Sequence, residues 1–135
     1  MRILFDTSYV FDFMDRPGKF LNSERRVLAA HGMEFFVSAV SILEMRLKYS
    51  SRHPSGVRKS RFFPEDVIDA LEDQNLTFLP MTMLHAARGL EIPLDHKDPF
   101  DELLLVQAQE EGLRLLTVDR RLVGHPLAVA VHELG

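Results

Sequence analysis

The 135-residue chain contains no cysteine, which excludes disulfide bonds, thiolate zinc sites and cysteine nucleophiles. No apolar run approaches the roughly 18 residues that a membrane-spanning helix needs. The N-terminal stretch MRILFDTSYV has one basic residue and an acid as early as Asp6, a composition unlike that of a secretory signal peptide. We therefore expect a cytoplasmic protein with no membrane partner.

Several sequence signatures of known active sites are also missing. There is neither a glycine-rich phosphate-binding loop nor a nucleophile-elbow pattern. The six histidines are scattered with no pair at metal-ligand spacing, so His85 and His96 are predicted to be surface or boundary residues rather than ligands. The chain also lacks internal repeats, low-complexity segments and linkers, and its length predicts one domain spanning residues 1–135.

The net charge of −4 conceals a strong segregation of charge along the chain. No acid occurs between Met45 and Pro64, whereas the rest of the chain carries 20 acids and 10 basic residues, a net charge of −10. That acid-free segment holds the six other basic residues: Arg46, Lys48, Arg52, Arg58, Lys59 and Arg61. The basic run has two interpretations, a surface that contacts nucleic-acid phosphates or a solvated helix face followed by a loop.

The pattern of apolar residues predicts strands that alternate with helices. Five short apolar runs, at residues 2–5, 35–40, 76–81, 113–118 and 127–134, are typical of buried strands. Helical spacing occurs at residues 7–15, 23–31, 64–74, 82–91 and 98–112. Residues 50–61 are either a loop or the frayed end of a preceding helix. The alternation predicts an α/β fold with a parallel sheet.

Local signals place the ends of several helices. Ser23 and Thr82 are plausible N-caps, and Pro64 is suited to a first helical position. Gly112 is expected to end the helix that precedes the fourth strand.

Acidic residues follow several of the predicted strands. Asp6 and Asp119 come directly after the first and fourth strands, Glu44 lies one turn into the helix after the second, and Asp98 and Asp101 open the helix before the fourth. In an open α/β sheet, ligands bind beyond the carboxyl ends of the strands. We therefore expect the fold to bring these acids towards a common edge.

Each acid also has a purely local interpretation, because acids are common at helix starts. Asp6 and Asp119 would cap the segments that follow them. Ser41 and Glu44 have the spacing of a capping box, and Asp98 before Pro99 has the pattern of an N-cap. As a group, however, converging carboxylates repel one another unless a cation neutralises them. Hard cations such as Mg²⁺ and Mn²⁺ prefer these oxygen ligands and activate water for attack on phosphorus.

Four blocks of sequence together resemble the PIN domain family, and in particular toxins of the VapC type. They are ILFDTS, VSAVSILEMRLKY, DPFDELLLVQAQEEG and LLTVD, and they span almost the whole chain in order. The resemblance implies a five-stranded parallel sheet flanked by helices and a metal-dependent ribonuclease that uses one or two Mg²⁺ or Mn²⁺ ions. It also implies a homodimer and an antitoxin protein whose C-terminal segment blocks the site.

The resemblance also assigns the site residues. By position, Asp6, Glu44, Asp101 and Asp119 correspond to the metal-binding acids, and Thr117 to a hydroxyl residue that orients ligands or water. The segment DPFD offers two acids where many family members have one, so Asp98 is a second candidate ligand. Asp101 is preferred because it directly precedes the apolar run ELLLVQA, and Asp98 would then be the helix cap or a supporting group.

Three alternatives accompany this interpretation: a receiver domain, a phosphatase and an inactive PIN fold. A receiver domain would need paired acids after the first strand and a late lysine, but Thr7 follows Asp6 and Arg120 follows Asp119. A phosphatase of the two-aspartate type would need an acid where Ser8 stands. The remaining alternative is a catalytically inactive PIN fold that binds RNA or a protein, and the intact set of acids argues against it.

Overall fold

The computed structural model describes residues 1–15, 32–72, 74 and 76–134. Its elements, in chain order, are β1 (Arg2–Phe5), α1 (Thr7–Asp15), β2 (Glu34–Ser38), α2 (Ala39–Ser50), α3 (Pro64–Glu72), β3 (Thr77–Leu79), α4 (Met83–Ala87), α5 (Pro99–Glu111), β4 (Arg114–Leu116), β5 (Ala128–Val129) and α6 (Val131–Leu134). The α/β prediction is confirmed. The helix predicted over 23–31 lies outside the described residues. No helix in the described part of the chain is long and apolar enough to cross a membrane.

The five strands form one parallel sheet in the order β3-β2-β1-β4-β5. After Arg2 the central strand β1 is apolar, and its Ile3 and Leu4 are fully buried. Strand β2 lies on one side of β1 and β4 on the other, so the strand order reverses at β1. In sheets of this kind, the crevice outside the carboxyl ends of the strands at the reversal point is the usual ligand position.

Helices cover both faces of the sheet. Alternate residues of the strands point to opposite faces, so Ile3 and Phe5 pack with helices α1, α2 and α3, whereas Leu4 packs with α5. Burial on both sides explains why the strands read as apolar runs rather than as an alternation of apolar and polar residues. The sheet is therefore a rigid support for side chains that follow its strands.

Several predicted helix ends are confirmed. Helix α3 begins at Pro64, and Asp98 caps α5 by accepting hydrogen bonds from the backbone N–H groups of Phe100 and Asp101. Gly112 ends α5 with a φ of 67°, a left-handed conformation that glycine adopts without a steric penalty. Thr82 caps α4, although that helix stops at Ala87 and does not extend to residue 91.

The prediction of surface or boundary positions for the two histidines is half wrong. His96 is at the boundary, but His85 is only 1% exposed. Its Nδ1 accepts from the backbone N–H of Thr82 at 3.0 Å, and its Nε2 lies 2.8 Å from a carboxylate oxygen of Glu111. Because both ring nitrogens have partners, the polar ring can be buried without loss of hydrogen bonding.

The strand predicted over 127–134 is wrong beyond Val129. Residues Val131–Leu134 form helix α6, and the backbone N–H of Ala130 donates to the Glu133 side chain. An apolar run of this length is compatible with either structure, so its composition could not place the boundary.

The predicted strand over 35–40 ends early, at Ser38. The Ser38 hydroxyl accepts from the backbone N–H of Val40 and caps α2, so residues 39 and 40 are helical. The capping box predicted for Ser41 and Glu44 is therefore wrong. Ser41 is instead a fully buried helical residue whose hydroxyl lies 2.9 Å from that of Thr7.

Of residues 50–61, Ser50 ends α2 and residues 51–61 are a loop rather than a frayed continuation of the helix. The backbone N–H of His53 donates to Val57 at 2.8 Å, and an antiparallel bridge joins Arg52 to Arg58. Gly56 has a φ of 88°, which lets the chain reverse inside this bridge. The loop thus has a defined shape and holds its basic residues at fixed positions.

Candidate active site

Asp6 lies at the carboxyl end of β1 and is only 5% exposed. Its Oδ1 accepts from the backbone N–H of Thr7 at 2.8 Å, and its Oδ2 accepts from the hydroxyls of Ser8 at 3.1 Å and Thr117 at 2.7 Å. Burial raises the pKa of Asp6, these hydrogen bonds oppose that rise, and the nearby charge of Glu44 adds to it. The carboxylate is therefore held in one orientation in a place where a cation would stabilise its charged form.

Glu44 reaches the same region from helix α2. The buried contact between Ser41 and Thr7 holds α2 against the start of α1, one turn before Glu44. The Glu44 carboxylate pairs with Lys48, one turn further along the helix, at 3.0 Å. The pair places the positive charge of Lys48, a member of the basic run, beside the acids.

Asp101, in the first turn of α5, is a second buried acid whose pKa lies above its ordinary value. It is 7% exposed, and burial raises its pKa to about 6, with further contributions from the charges of Asp98, Asp6 and Asp119. His96 lies 3.0 Å from Asp101 Oδ2 and partly opposes the rise. Asp98 is the helix cap, so the structure gives the two acids of DPFD different surroundings.

Asp119 follows β4 and is held by its neighbours on both sides. Its backbone N–H donates to the Thr117 hydroxyl at 3.0 Å, and its carboxylate accepts from the Arg121 side chain at 2.9 and 3.3 Å. The hydrogen bond from Arg121 is the main reason that the pKa of Asp119 lies below its ordinary value. Asp119 also accepts from the backbone N–H of Arg121, which is the local capping role considered from the sequence.

All five candidate acids line one pocket of about 350 Å³ at this edge of the sheet. Within the described part of the chain, the lining residues are Asp6, Thr7, Ser8, Phe11, Asp12, Glu44, Lys48, Asp98, Asp101, Asp119 and Arg121. Carboxylate oxygens are the donor type that Mg²⁺ and Mn²⁺ prefer, so the residues fit such an ion chemically. No group of three or more His, Asp or Glu residues within the described ranges is arranged to hold a metal ion directly.

A second, more open groove of about 520 Å³ adjoins this pocket and is mainly cationic. Glu44, Lys48, Asp98 and Arg121 line both cavities, and Lys59 and Lys97 line only the groove. Of the six basic residues singled out from the sequence, Lys48 and Lys59 are therefore the two that the structure places beside the acids.

The other four basic residues line neither cavity, and three of them have partners elsewhere. Arg61 pairs with Asp15, and Arg52 donates to the backbone of Gly56. Arg58 donates to the carbonyl oxygen of Tyr49 at 2.7 Å and lies over its ring at 4.3 Å. Arg46 is exposed on α2.

Four residues of the site were not singled out from the sequence. Ser8 bonds Asp6, His96 bonds Asp101, Lys97 lines the groove, and Arg121 contacts both Asp119 and Asp101. The one feature of the sequence that could have identified each of them is that it lies close to a candidate acid. That signal was weak, because the contact of Arg121 with Asp101 depends on packing between β4 and α5.

The comparisons with known proteins agree with the fold. Residues 3–125 match the model of the PIN domain family. No curated protein matches the chain.

Solved structures with a similar fold include two bacterial toxin–antitoxin complexes and one PIN domain endonuclease. VapBC2 from Rickettsia felis, bound to a DNA fragment from its promoter, is 14% identical with a TM-score of 0.61, and 96% of this chain and 97% of that chain are covered. A toxin–antitoxin complex from Klebsiella pneumoniae is 19% identical with a TM-score of 0.62 and the same coverage.

The PIN domain endonuclease Utp24 is 14% identical with a TM-score of 0.51, and 96% of this chain and 82% of that chain are covered. At these identities the solved structures establish the fold alone. The family match covers most of the chain, and the chain belongs to the PIN domain family.

Proposed function

We propose that the protein is a metal-dependent endoribonuclease that hydrolyses phosphodiester bonds in RNA. The observation that carries the proposal is the convergence of acids from four separate chain segments on one pocket beside a cationic groove. A purely structural use of these acids, as helix caps, accounts for Asp98 but leaves the burial of Asp6 and Asp101 without a purpose. Burying acids next to one another is costly unless a cation compensates for it.

The proposed ligands of one or two Mg²⁺ or Mn²⁺ ions are Asp6, Glu44, Asp101 and Asp119, with Asp98 as a further candidate. A bound ion of this kind lowers the pKa of a coordinated water and stabilises charge on the phosphate. The chain itself orients the acids. Thr117 bonds both Asp6 and the backbone of Asp119, so one hydroxyl fixes the ends of β1 and β4 relative to each other.

The cationic groove supports a nucleic-acid substrate. Lys48, Lys59 and Lys97 line it, and it opens beside the acids without an intervening element. Phosphates attracted to such a groove bring the backbone of a strand next to the pocket. The net charge of −4 is no objection, because it averages an acidic metal site with a basic groove.

The similar toxin–antitoxin complexes support a further assignment. We propose that the protein acts as a cytoplasmic toxin of such a pair. In this proposal it forms a homodimer, and an antitoxin protein binds it. A small neighbouring reading frame whose product copurifies with this chain and suppresses its nuclease activity would support the assignment. Full activity of the purified complex would contradict it.

The central test is a nuclease assay on the purified protein with total RNA and added Mn²⁺. We expect cleavage that stops on addition of EDTA and returns with excess Mn²⁺. Asp6→Asn should be inactive, whereas Asp95→Asn, a matched change at an exposed acid outside the pocket, should retain activity. Metal binding without cleavage of any RNA would favour the catalytically inactive alternative.

A further inference from the structure

Arg121 is the basic side chain most closely engaged with the proposed metal ligands. Its Nη2 lies 2.9 Å from Asp119 Oδ2 and 3.6 Å from Asp101 Oδ2, and its Nε lies 3.3 Å from Asp119 Oδ1. The two acids come from different elements, since Asp101 lies in the first turn of α5 and Asp119 follows β4. One guanidinium therefore bridges two acids whose ordinary role in the proposed site is to hold a cation.

The surroundings of the Arg121 side chain allow it to move. The side chain is 57% exposed, whereas that of Asp101 is 10% exposed, so the acid is fixed and the arginine lies on the solvent side. Arg121 also lines both the acidic pocket and the cationic groove. A rotation about its side-chain bonds would carry the guanidinium from the first cavity into the second without any change in the backbone.

A divalent ion and this guanidinium would compete for the same oxygens of Asp119. Two cations at one carboxylate repel each other, and Arg121 uses both oxygens of that acid.

We infer that Arg121 is an internal counterion of Asp119 and Asp101 in the metal-free site. When a divalent ion is bound, Arg121 would leave these acids for the groove and would bind a phosphate of the substrate there. The inference rests on the proposed function and adds a residue to it. It assigns Arg121 two opposed effects: the side chain weakens metal binding and strengthens productive binding of RNA. A merely structural arginine would not have effects of opposite sign.

The test is a pair of measurements on Arg121→Ala, with Arg120→Ala as the matched control, because Arg120 is an exposed neighbour that lines neither cavity. Isothermal titration with Mn²⁺ in the absence of RNA gives the metal affinity. Arg121→Ala should bind Mn²⁺ about two- to fivefold more tightly than the wild type, the range expected for the loss of an exposed competing ion pair. Arg120→Ala should bind Mn²⁺ like the wild type.

Single-turnover cleavage of RNA at saturating Mn²⁺ is the second measurement. Arg121→Ala should cleave more slowly at subsaturating RNA, and the slope of log rate against log salt should become shallower by about 0.7, as for one lost phosphate contact. Arg121→Lys retains a charge but not the two-pronged geometry, so it should recover much of the salt slope while still binding Mn²⁺ more tightly. It also serves as the second variant if Arg121→Ala folds poorly.

The outcomes separate this inference from the proposed function. Unchanged or weaker Mn²⁺ binding by Arg121→Ala, with an active wild type, overturns the role of Arg121 and leaves the nuclease intact. A wild type that cleaves no RNA overturns the proposed function, and tighter Mn²⁺ binding by Arg121→Ala would then still support the displacement of the counterion. Equal effects of Arg120→Ala and Arg121→Ala on metal affinity would also overturn the inference.

Discussion

The Thr117 hydroxyl donates to Asp6 Oδ2 at 2.7 Å and accepts from the backbone N–H of Asp119 at 3.0 Å. The contact joins the carboxyl ends of β1 and β4, which are neighbours in the sheet although 111 positions separate the two residues. Thr117 is fully buried, so no water is available to replace it. The hydroxyl assigned to ligand orientation by family resemblance thus has a concrete partner on each side.

Thr117→Val should therefore both destabilise the protein and impair the site. The valine keeps the shape but leaves a buried Asp6 oxygen and the Asp119 N–H without this partner, at a cost of about 1–3 kcal/mol. Urea unfolding measures the loss of stability, and a cleavage assay in Mn²⁺ measures the loss of activity. Thr117→Ser restores the hydroxyl and should recover most of both. A fully active and fully stable Thr117→Val would contradict the assigned role.

The two acids of DPFD should respond differently to conservative substitution. Asp101→Asn should abolish cleavage without loss of the fold, because it removes a buried charge that the proposed metal would bind. Asp98→Asn should retain most of the activity and stability, since asparagine also caps helices well, whereas Asp98→Ala should lose about 1 kcal/mol of stability. Activity is measured with Mn²⁺, and stability by urea unfolding.

The opposite result would reverse the assignment. An active Asp101→Asn together with an inactive but folded Asp98→Asn would make Asp98 the principal ligand, with Asp101 in the supporting role.

Much of the fold could be predicted because its signals are local. Three apolar residues follow Arg2 and a polar residue comes directly after Phe5, and β1 has the predicted limits, Arg2–Phe5. Helix α5 begins and ends where Asp98 and Gly112 predict, since a cap and a left-handed glycine act on the residues beside them. Because the strands are parallel, their direction alone predicts that Asp6 and Asp119 lie at the same edge of the sheet.

The errors occur where distant contacts decide between two local possibilities. Ser38 and not Ser41 caps α2, because the Ser41 hydroxyl is used in the buried contact with Thr7. His85 is buried because Glu111 on another helix provides a partner for its ring. The basic residues of the loop have different surroundings, since Lys59 lines the groove whereas Arg61 pairs with Asp15. This difference depends on the path of the loop and could not be derived from charge alone.

The stability of the metal-free protein should fall as the pH rises through the range in which Asp101 titrates. Its pKa of about 6 in the folded state exceeds the ordinary 3.8, so the folded protein binds this proton more tightly than the unfolded chain does. The resulting stabilisation is complete below about pH 4 and is lost as the pH rises past about 6. Its size is on the order of 3 kcal/mol, since each tenfold change in proton affinity corresponds to about 1.4 kcal/mol.

The measurement is urea unfolding in EDTA between pH 4 and 8, with Asp101→Asn as the comparison. Asparagine cannot titrate, so the difference in stability between the two proteins should shift in favour of Asp101→Asn as the pH rises. Added Mn²⁺ at pH 7 should stabilise the wild type and have much less effect on Asp101→Asn. Parallel pH profiles of the two proteins would show that Asp101 does not carry the dependence.

Among the basic residues of the loop, Lys59 should dominate binding of RNA. It lines the groove beside the acids, whereas Arg61 pairs with Asp15 and Arg58 with the backbone and ring of Tyr49. Replacing all three by alanine should weaken binding and flatten its salt dependence, and Lys59→Ala alone should reproduce most of that effect. The slope of log affinity against log salt should become shallower by about 0.7 for one phosphate contact on a single strand.

Binding is measured by fluorescence anisotropy with labelled RNA in EDTA, so that cleavage does not interfere. Arg61→Ala is the matched control, because it removes the same charge from the same loop but from outside the groove. If Arg61→Ala changed the slope as much as Lys59→Ala, the loop would act through its overall charge rather than through the groove. An unchanged slope in the triple variant would place the RNA on another surface, because a strand lying in the groove could not avoid Lys59.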